Sequence, residues 1–281
     1  ELESFSCMYC GARLTQADLC PQEEQALSAD EQAESFAHAT SRLGWCVTNF
    51  HGYQQKILRD TFFQAFETYE TGCAPVIQEL ARGVAPEQQT QLLGRAAAAM
   101  LDELEAGWQK KGDMEDEKIV LAIFFVPMVR KQQLPISEEF VTILQKQWVE
   151  RYPKSPFYLG DYESISGGFR KKFLGLCFIT TAVCQELGKP DDCEELTAFR
   201  AFRDGYLRSQ PDGEALIREY YNIAPGIVTC INTCSDRHAS YARIREEYLA
   251  PCYQDLLAGR NESCKARYVR MVRDLEREYL S

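Results

Sequence analysis

Residues 119–129, IVLAIFFVPMV, place eleven apolar side chains in succession. The run is too short to span a bilayer, which takes about 20 residues, and it carries Pro127. It is also too uniformly apolar to lie on a surface. With its polar flanks it reads as one helix over residues 113–131, apolar on every side. Such a helix sits at the centre of a bundle. Pro127 is expected to kink it.

The neighbouring sequence supplies helices to surround it. Ser28 and Glu31 have the Ser-x-x-Glu spacing of a capping box, and a helix is expected from there to about residue 50. Residues 51–83 carry Ile57, Phe62, Phe66 and Tyr69 at helical spacing, with breaks expected at Gly72 and Pro75. Residues 86–111 read as a strong helix. Ala96, Ala97, Ala98 and Ala99 favour it, and Leu92, Leu93, Met100, Leu101 and Leu104 form its buried stripe. Residues 135–152 form another, with Ser137 as cap and Phe140, Ile143, Leu144 and Trp148 facing inward. Residues 152–168 hold Pro153, Pro156, Gly160, Gly167 and Gly168. They read as a connector and as the domain boundary. The fold class is therefore all-α: a multi-helix bundle with a short N-terminal zinc-ribbon-like segment. Three units are expected: a knuckle at 1–25, a helical bundle at 28–152 and a helical C-terminal domain at 169–281.

Composition limits the partners. The chain has 281 residues and a formal net charge of -11. Broad nucleic-acid binding needs clustered Lys and Arg, so a protein partner is expected instead. No apolar run reaches membrane-spanning length. Twelve cysteines are many for this size. In an oxidising compartment they would form disulfides; in the cytoplasm they would be buried thiols, metal ligands or reactive groups. A chain of this length buries a core without covalent staples. No secretory leader heads the chain, although it begins at Glu1 rather than Met, which leaves a removed leader open. The cytoplasm is the expected compartment.

Cys7-Met8-Tyr9-Cys10-Gly11 has the spacing of a zinc knuckle, with a glycine free to take the positive φ of such a turn. Cys20-Pro21 follows. This resembles the N-terminal zinc ribbon of many bacterial proteins, patterned CxxCG…CPxCG. It departs at the fourth cysteine, where Glu23 stands. A site of Cys7, Cys10 and Cys20 is completed in this reading by Glu23, His38, Cys46 or a ligand from elsewhere. The competing reading is a ribbon that has lost its metal. Zinc is preferred, because three close thiols on a polar segment lack another purpose.

The C-terminal third carries a second resemblance. The stretch Cys177-Phe178-Ile179-Thr180-Thr181-Ala182-Val183-Cys184 is followed by ELTAFRAFRDGYL (195–207) and EYYNIAPGIV (219–228). These three motifs, in this order, resemble the CFI-box domain, a C-terminal module of many bacterial proteins. Phe199 stands where the family more often has Leu. The resemblance implies no established activity. On residue grounds, CFITTAVC joins a helix over 169–187 that Gly188-Lys189-Pro190 stops. Cys177 and Cys184, seven apart, are expected on one face. Asp192 is expected to cap the next helix with Glu195 completing its box. Leu196, Phe199, Phe202 and Tyr206 form its stripe, and Arg200 is expected to pair with Asp204. A helix begins at Asp212 and ends near Tyr221, and Pro225 starts another.

That helix places Cys230, Cys234 and His238 four apart, a weaker second metal candidate against ordinary core packing of cysteines. Residues 239–257 and 262–280 read as closing amphipathic helices, the last seamed by Tyr268, Val272, Leu275 and Tyr279. A disulfide between Cys252 and Cys264 is possible on spacing alone. An enzyme reading rests on Cys177, with Arg200 and Arg203 as groups able to stabilise a thiolate. No histidine stands in a Cys/His signature, and no phosphate loop, GxSxG or HExxH occurs. The expected role is a non-enzymatic interaction or adaptor protein that binds structural zinc. The alternative is a cysteine-dependent enzyme or thiol redox sensor using Cys177.

Overall fold

The computed structural model describes residues 5–6, 13–14, 27–110, 112–170 and 177–281. Beyond a two-residue antiparallel ladder, Phe5–Ser6 with Arg13–Leu14, the described residues are helical or connecting. The fold is all-α, as expected.

Helix α1 (Ala29–Leu43) opens with the capping box: Ser28 N donates to Glu31 Oε2 at 2.9 Å, and Ser28 Oγ accepts from Glu31 N. It ends at Gly44, earlier than expected, and a short turn (Trp45–Thr48) follows. Residues 51–61 hold only a 3₁₀ turn, Tyr53–Lys56. Helix α2 (Phe62–Gly83) then runs unbroken through Gly72 and Pro75. An interior proline costs about 3 kcal/mol. Beyond it, Val76, Ile77 and Leu80 are wholly buried. Each contributes about 1.5–3 kcal/mol, so burial outweighs the local break. A Cβ on Gly83 would stand 2.3 Å from the backbone nitrogen of Phe36, so glycine is what lets α1 and α2 cross this closely.

Helix α3 (Gln89–Gly107) follows a 3₁₀ turn, Pro86–Gln88, and buries Leu93, Met100, Leu101 and Leu104. The apolar helix is the centre of the molecule, and every residue of 119–129 is buried. It consists of α4 (Asp113–Val120), a π-turn (Leu121–Phe125) and α5 (Val126–Lys131). The irregularity precedes Pro127. In the π-turn, Val126 N donates to Leu121 O, five residues back. The wider turn thus ends just before the residue that has no N–H to give. Later in the chain, Arg245–Leu249 forms the same kind of turn ahead of Pro251, with Ala250 N donating to Arg245 O. Helix α6 (Ser137–Arg151) begins at Ser137 rather than after it. The Ser137 hydroxyl donates to Val129 O at 2.8 Å and accepts from Leu134 N at 3.1 Å.

The expected connector contains helix α7 (Tyr162–Arg170), which passes through Gly167 and Gly168. The strand of chain before it is pinned on both sides. Gln145 Nε2 donates to Phe157 O at 3.0 Å, and Tyr158 N donates to Thr233 O at 2.8 Å. Phe62 stacks on Phe169 with centroids 4.3 Å apart. Buried side chains from residues 36 to 280 form one continuous cluster.

The rest of the chain forms α8 (Phe178–Glu186), α9 (Glu194–Ala201), a π-turn (Phe202–Leu207), α10 (Gly213–Cys234), α11 (Arg237–Ile244), α12 (Ala250–Leu257) and α13 (Asn261–Tyr279). Residues 171–176 lie outside the described residues. Cys177 has non-helical backbone, so α8 starts after it. Cys193, not Asp192, precedes α9, and no side chain caps that helix. Helix α10 does not end at Tyr221 but continues through Pro225. Its proline segment is met by another part of the chain. Arg59 N donates to Asn222 O and Asp60 N to Asn222 Oδ1, both at 3.0 Å. Gly226 faces Ile57, and a Cβ there would stand 1.9 Å from the Ile57 carbonyl oxygen.

This close approach predicts that Gly226→Ala forces the 57–60 loop off α10. A loss of about 2–3 kcal/mol is expected in urea unfolding, the upper part of the range for overpacking. A change below about 0.5 kcal/mol would show that the loop does not depend on the contact.

Candidate functional site

The three C-terminal motifs meet at the N-terminal end of α8. Cys177 lies immediately before that helix, and its carbonyl accepts from Thr181 N at 2.6 Å. Its sulfur accepts from Arg203 Nη1 at 3.6 Å. The same Nη1 reaches Tyr221 Oη at 3.1 Å. The other edge of the guanidinium makes a two-pronged contact with Asp204, Nε to Oδ1 at 2.8 Å and Nη2 to Oδ2 at 2.6 Å. Arg203 is 8% exposed, whereas the Asp204 side chain is 47% exposed. Burial of the arginine is thus compensated at its buried edge by a phenol and a thiol, and at its outer edge by a carboxylate in touch with water.

The first turn of a helix leaves N–H groups without intrahelical partners. At α8 one is taken by a tyrosine: Ile179 N donates to Tyr220 Oη at 3.0 Å. Tyr268 Oη lies 3.4 Å from Tyr220 Oη and 3.1 Å from Thr180 Oγ1, which extends the chain of hydroxyls onto α13. Phe178 packs edge-on against Tyr221 with centroids 6.0 Å apart. A cavity of about 60 Å³ adjoins this cluster, with Cys177, Phe199, Phe202, Tyr220, Tyr268 and Val272 in its wall. Arg273 and Glu219 also border it and pair with each other, Nη2 to Oε2 at 2.9 Å.

The electrostatics do not activate Cys177. It is 4% exposed. Burial pushes its thiol above the ordinary value, and the pull of Arg203 and then Arg200 does not offset this. A nucleophilic thiol needs the opposite shift. Burial likewise raises the Tyr220 and Tyr268 phenols, so they act as neutral hydrogen-bonding groups.

Arg200 is not part of the cluster's thiol contact. Its guanidinium grips Asp191 through both carboxylate oxygens at 2.9 Å and donates to Asp191 O at 2.7 Å. The expected Arg200–Asp204 pair is replaced because the helix changes to a π-turn at Phe202. Residues four apart across that change no longer face each other as they do on an α-helix. Cys177 and Cys184 also diverge, since Cys177 lies outside the helix. Cys184 turns to Cys193, whose thiol approaches its sulfur to 3.8 Å.

The second metal candidate is not assembled. Helix α10 ends at Cys234, and Ser235 is extended, so His238 falls on α11. The His238 side chain is 78% exposed and faces Glu186, Nδ1 to Oε1 at 3.4 Å. Cys230 and Cys234 are buried, and Cys230 donates to Tyr279 O at 3.7 Å. Burial pushes the Cys234 thiol up to about 12. Among the described residues, no three His, Cys, Asp or Glu side chains come together to hold a metal ion. Cys7, Cys10, Cys20 and Glu23 lie outside the described residues. The ladder pairs Phe5 with Leu14 and Ser6 with Arg13, on either side of positions 7–12. Two of the alternative fourth ligands are otherwise engaged. His38 Nδ1 meets Glu79 Oε1 at 2.8 Å, and the buried Cys46 donates to Arg42 O at 3.6 Å. Cys252 and Cys264 are free thiols, with Cys252 donating to Cys264 O at 3.8 Å.

Two features escaped sequence reasoning. Tyr268 reads as one more residue of an apolar seam, and nothing in its spacing announces a hydroxyl partner. The Cys184–Cys193 approach was readable in principle from the tight turn Gly188-Lys189-Pro190 that folds one flank back on the other. Comparison of the chain with protein-family models, with curated proteins and with solved structures finds no match.

Replacing Arg203 by Met removes the group that joins Cys177, Tyr221 and Asp204. Because Asp204 can turn to water, the cost is expected near 2 kcal/mol rather than the 3–5 of a fully buried pair. Arg203 holds the Asp204 carboxyl below its ordinary value. Its contribution is therefore present above the unfolded-state pKa of about 3.9 and is lost as pH falls through the lower folded value. Urea titrations of wild type and Asp204→Asn should differ at pH 7 and converge in that acid window. A difference constant with pH would remove the ion pair from the cluster's energetics.

Proposed function

We propose that the chain is a non-enzymatic interaction protein with a protein partner, whose C-terminal unit is a CFI-box domain and whose Cys7, Cys10 and Cys20 hold a structural zinc ion. The observation that carries the non-enzymatic reading is the state of Cys177. This thiol, the nucleophile on which an enzyme reading rests, is buried, is raised above its ordinary value and is held by Arg203 rather than by a base. The three histidines of the chain are elsewhere: His38 beside Glu79, His238 beside Glu186, and His51 outside the cavity wall. Arg203 joins Cys177 and Tyr221, and Tyr220 takes the Ile179 N–H, so these groups of the three motifs bind one another, which is the behaviour of a structural clasp.

The CFI-box reading is supported by the meeting of its three motifs in one cluster, which gives each a reason to occur with the others. The zinc reading rests on the CxxCG spacing and on the ladder that flanks it. A protein partner fits the net charge of -11 better than nucleic acid does. No helix among the described residues is long and apolar enough to cross a membrane.

Timed alkylation of the reduced native protein with iodoacetamide, read by peptide mapping, tests the central point. Cys177 is expected to react at least about a hundredfold more slowly than in the unfolded chain, as a protected thiol does. Elemental analysis of the same sample is expected to give about one zinc per chain, lost in Cys7→Ser. Rapid labelling of Cys177 would restore the enzyme reading, and absence of zinc would remove the ribbon.

A further inference from the structure

The nine described cysteines are free, and several come close in pairs. Cys46 interacts with Cys73, and Cys252 with Cys264, but all four are wholly buried. The pair Cys184 and Cys193 differs. Cys184 is buried, while Cys193 is partly exposed at the start of α9. Their sulfurs are 3.8 Å apart.

The turn between them is held in place. Lys189 N donates to Cys184 O and Gly188 N to Gln185 O, both at 2.9 Å, and Cys193 N donates to Pro190 O at 3.1 Å. Gly188 takes the positive φ of 67° that this reversal needs. The two thiols therefore face each other across a turn that is already closed. A disulfide needs the sulfurs to approach to about 2.05 Å, within reach of side-chain rotation and a small shift of the turn.

We infer that Cys184 and Cys193 form a reversible dithiol–disulfide site, oxidised by a small exposed disulfide of the glutathione type. The partly exposed Cys193, as thiolate, attacks one sulfur of that disulfide and expels the first small thiolate. Cys184 then attacks the Cys193 sulfur of the mixed disulfide and expels the second. The protons lost by the two cysteines go to the two departing thiolates, so one disulfide is made and one is reduced. Burial, and then Cys193, raise the Cys184 thiol above its ordinary value, which works against the second step; the 3.8 Å approach of the two sulfurs makes that step intramolecular and offsets this.

The site lies where it can act on the clasp. Helix α8 begins next to Cys177, and α9 leads into the π-turn that carries Arg203. A covalent link across the α8–α9 turn fixes the two supports of the Cys177–Arg203 contact. Glu186, beside the turn, also pairs with Arg237 at 2.9 Å, which ties the same corner to α11.

The test uses the full reduced chain, native, incubated with excess glutathione disulfide, quenched by acid alkylation and mapped by peptide mass spectrometry. A Cys184–Cys193 linkage is expected, with Cys46, Cys73, Cys252 and Cys264 still reduced. Dithiothreitol should return both thiols. In Cys184→Ser, whose fold is checked by circular dichroism, glutathione should remain attached at Cys193 because the second thiol is missing. A stable glutathione adduct on Cys193 of wild type, linkage only among other cysteines, or no loss of these two thiols while the unfolded chain reacts fully would each overturn the inference.

Discussion

A guanidinium cannot shed its charge, so an arginine that is 8% exposed must be surrounded by groups fixed in the right places. Arg203 imposes that demand on the C-terminal half. Asp204 takes its outer edge, and Tyr221 and Cys177 take the inner one. Each of these residues comes from a different element. Satisfying one charge therefore sets the positions of the start of α8, the π-turn after α9 and the middle of α10. Tyr220, the neighbour of Tyr221, closes the first turn of α8 from the same helix. The desolvation of a lone charge costs several kcal/mol, and this is what makes the arrangement cooperative rather than a sum of weak contacts.

The same helix α10 joins this cluster to the rest of the molecule. Near Tyr220 and Tyr221 it carries the clasp. From the next residue, Asn222, to Gly226 about a turn further on, it receives the backbone of the 57–60 loop. Towards its end it accepts Tyr158 N at Thr233 O. Phe62 and Phe169 add an apolar contact between the same regions. The wholly apolar helix at 119–129 is the other organising element, because its burial requires neighbours on every side.

Much of the fold was legible because it follows from local chemistry. The Ser28–Glu31 box and the buried run at 119–129 appear as their side chains predict, as does the stripe of α3 except for Leu92, which is only partly buried. The departures lie where distant packing overrules a local signal. Pro75 and Pro225 did not break their helices, since in one case buried side chains follow and in the other a loop docks beside it. The three π-turns were invisible, because one extra residue per turn leaves no mark in an apolar periodicity. That shift broke the Arg200–Asp204 expectation and set Arg203 inward. For the site, the motifs offered Arg200 and Arg203 alike as neighbours of Cys177; Arg203 makes the thiol contact, and Arg200 turns to Asp191. Spacing alone held no information on Tyr268, whereas the return of Cys193 to Cys184 was signalled only by the turn at Gly188-Lys189-Pro190. Cys230 and Cys234 pack in the core, the preferred reading over a metal triad with His238, because a four-residue rule holds only while the helix lasts and this one ends at Cys234.

The most direct test of the clasp is native-state hydrogen exchange at the Ile179 amide. An N–H in the first turn of an open helix exchanges quickly. Bound to a buried tyrosine hydroxyl, it should exchange only by large-scale opening, slowed by about a thousandfold or more, and Tyr220→Phe should release it. Fast exchange of Ile179 in the native protein would contradict a structural role for the cluster and reopen the start of α8 as an accessible site.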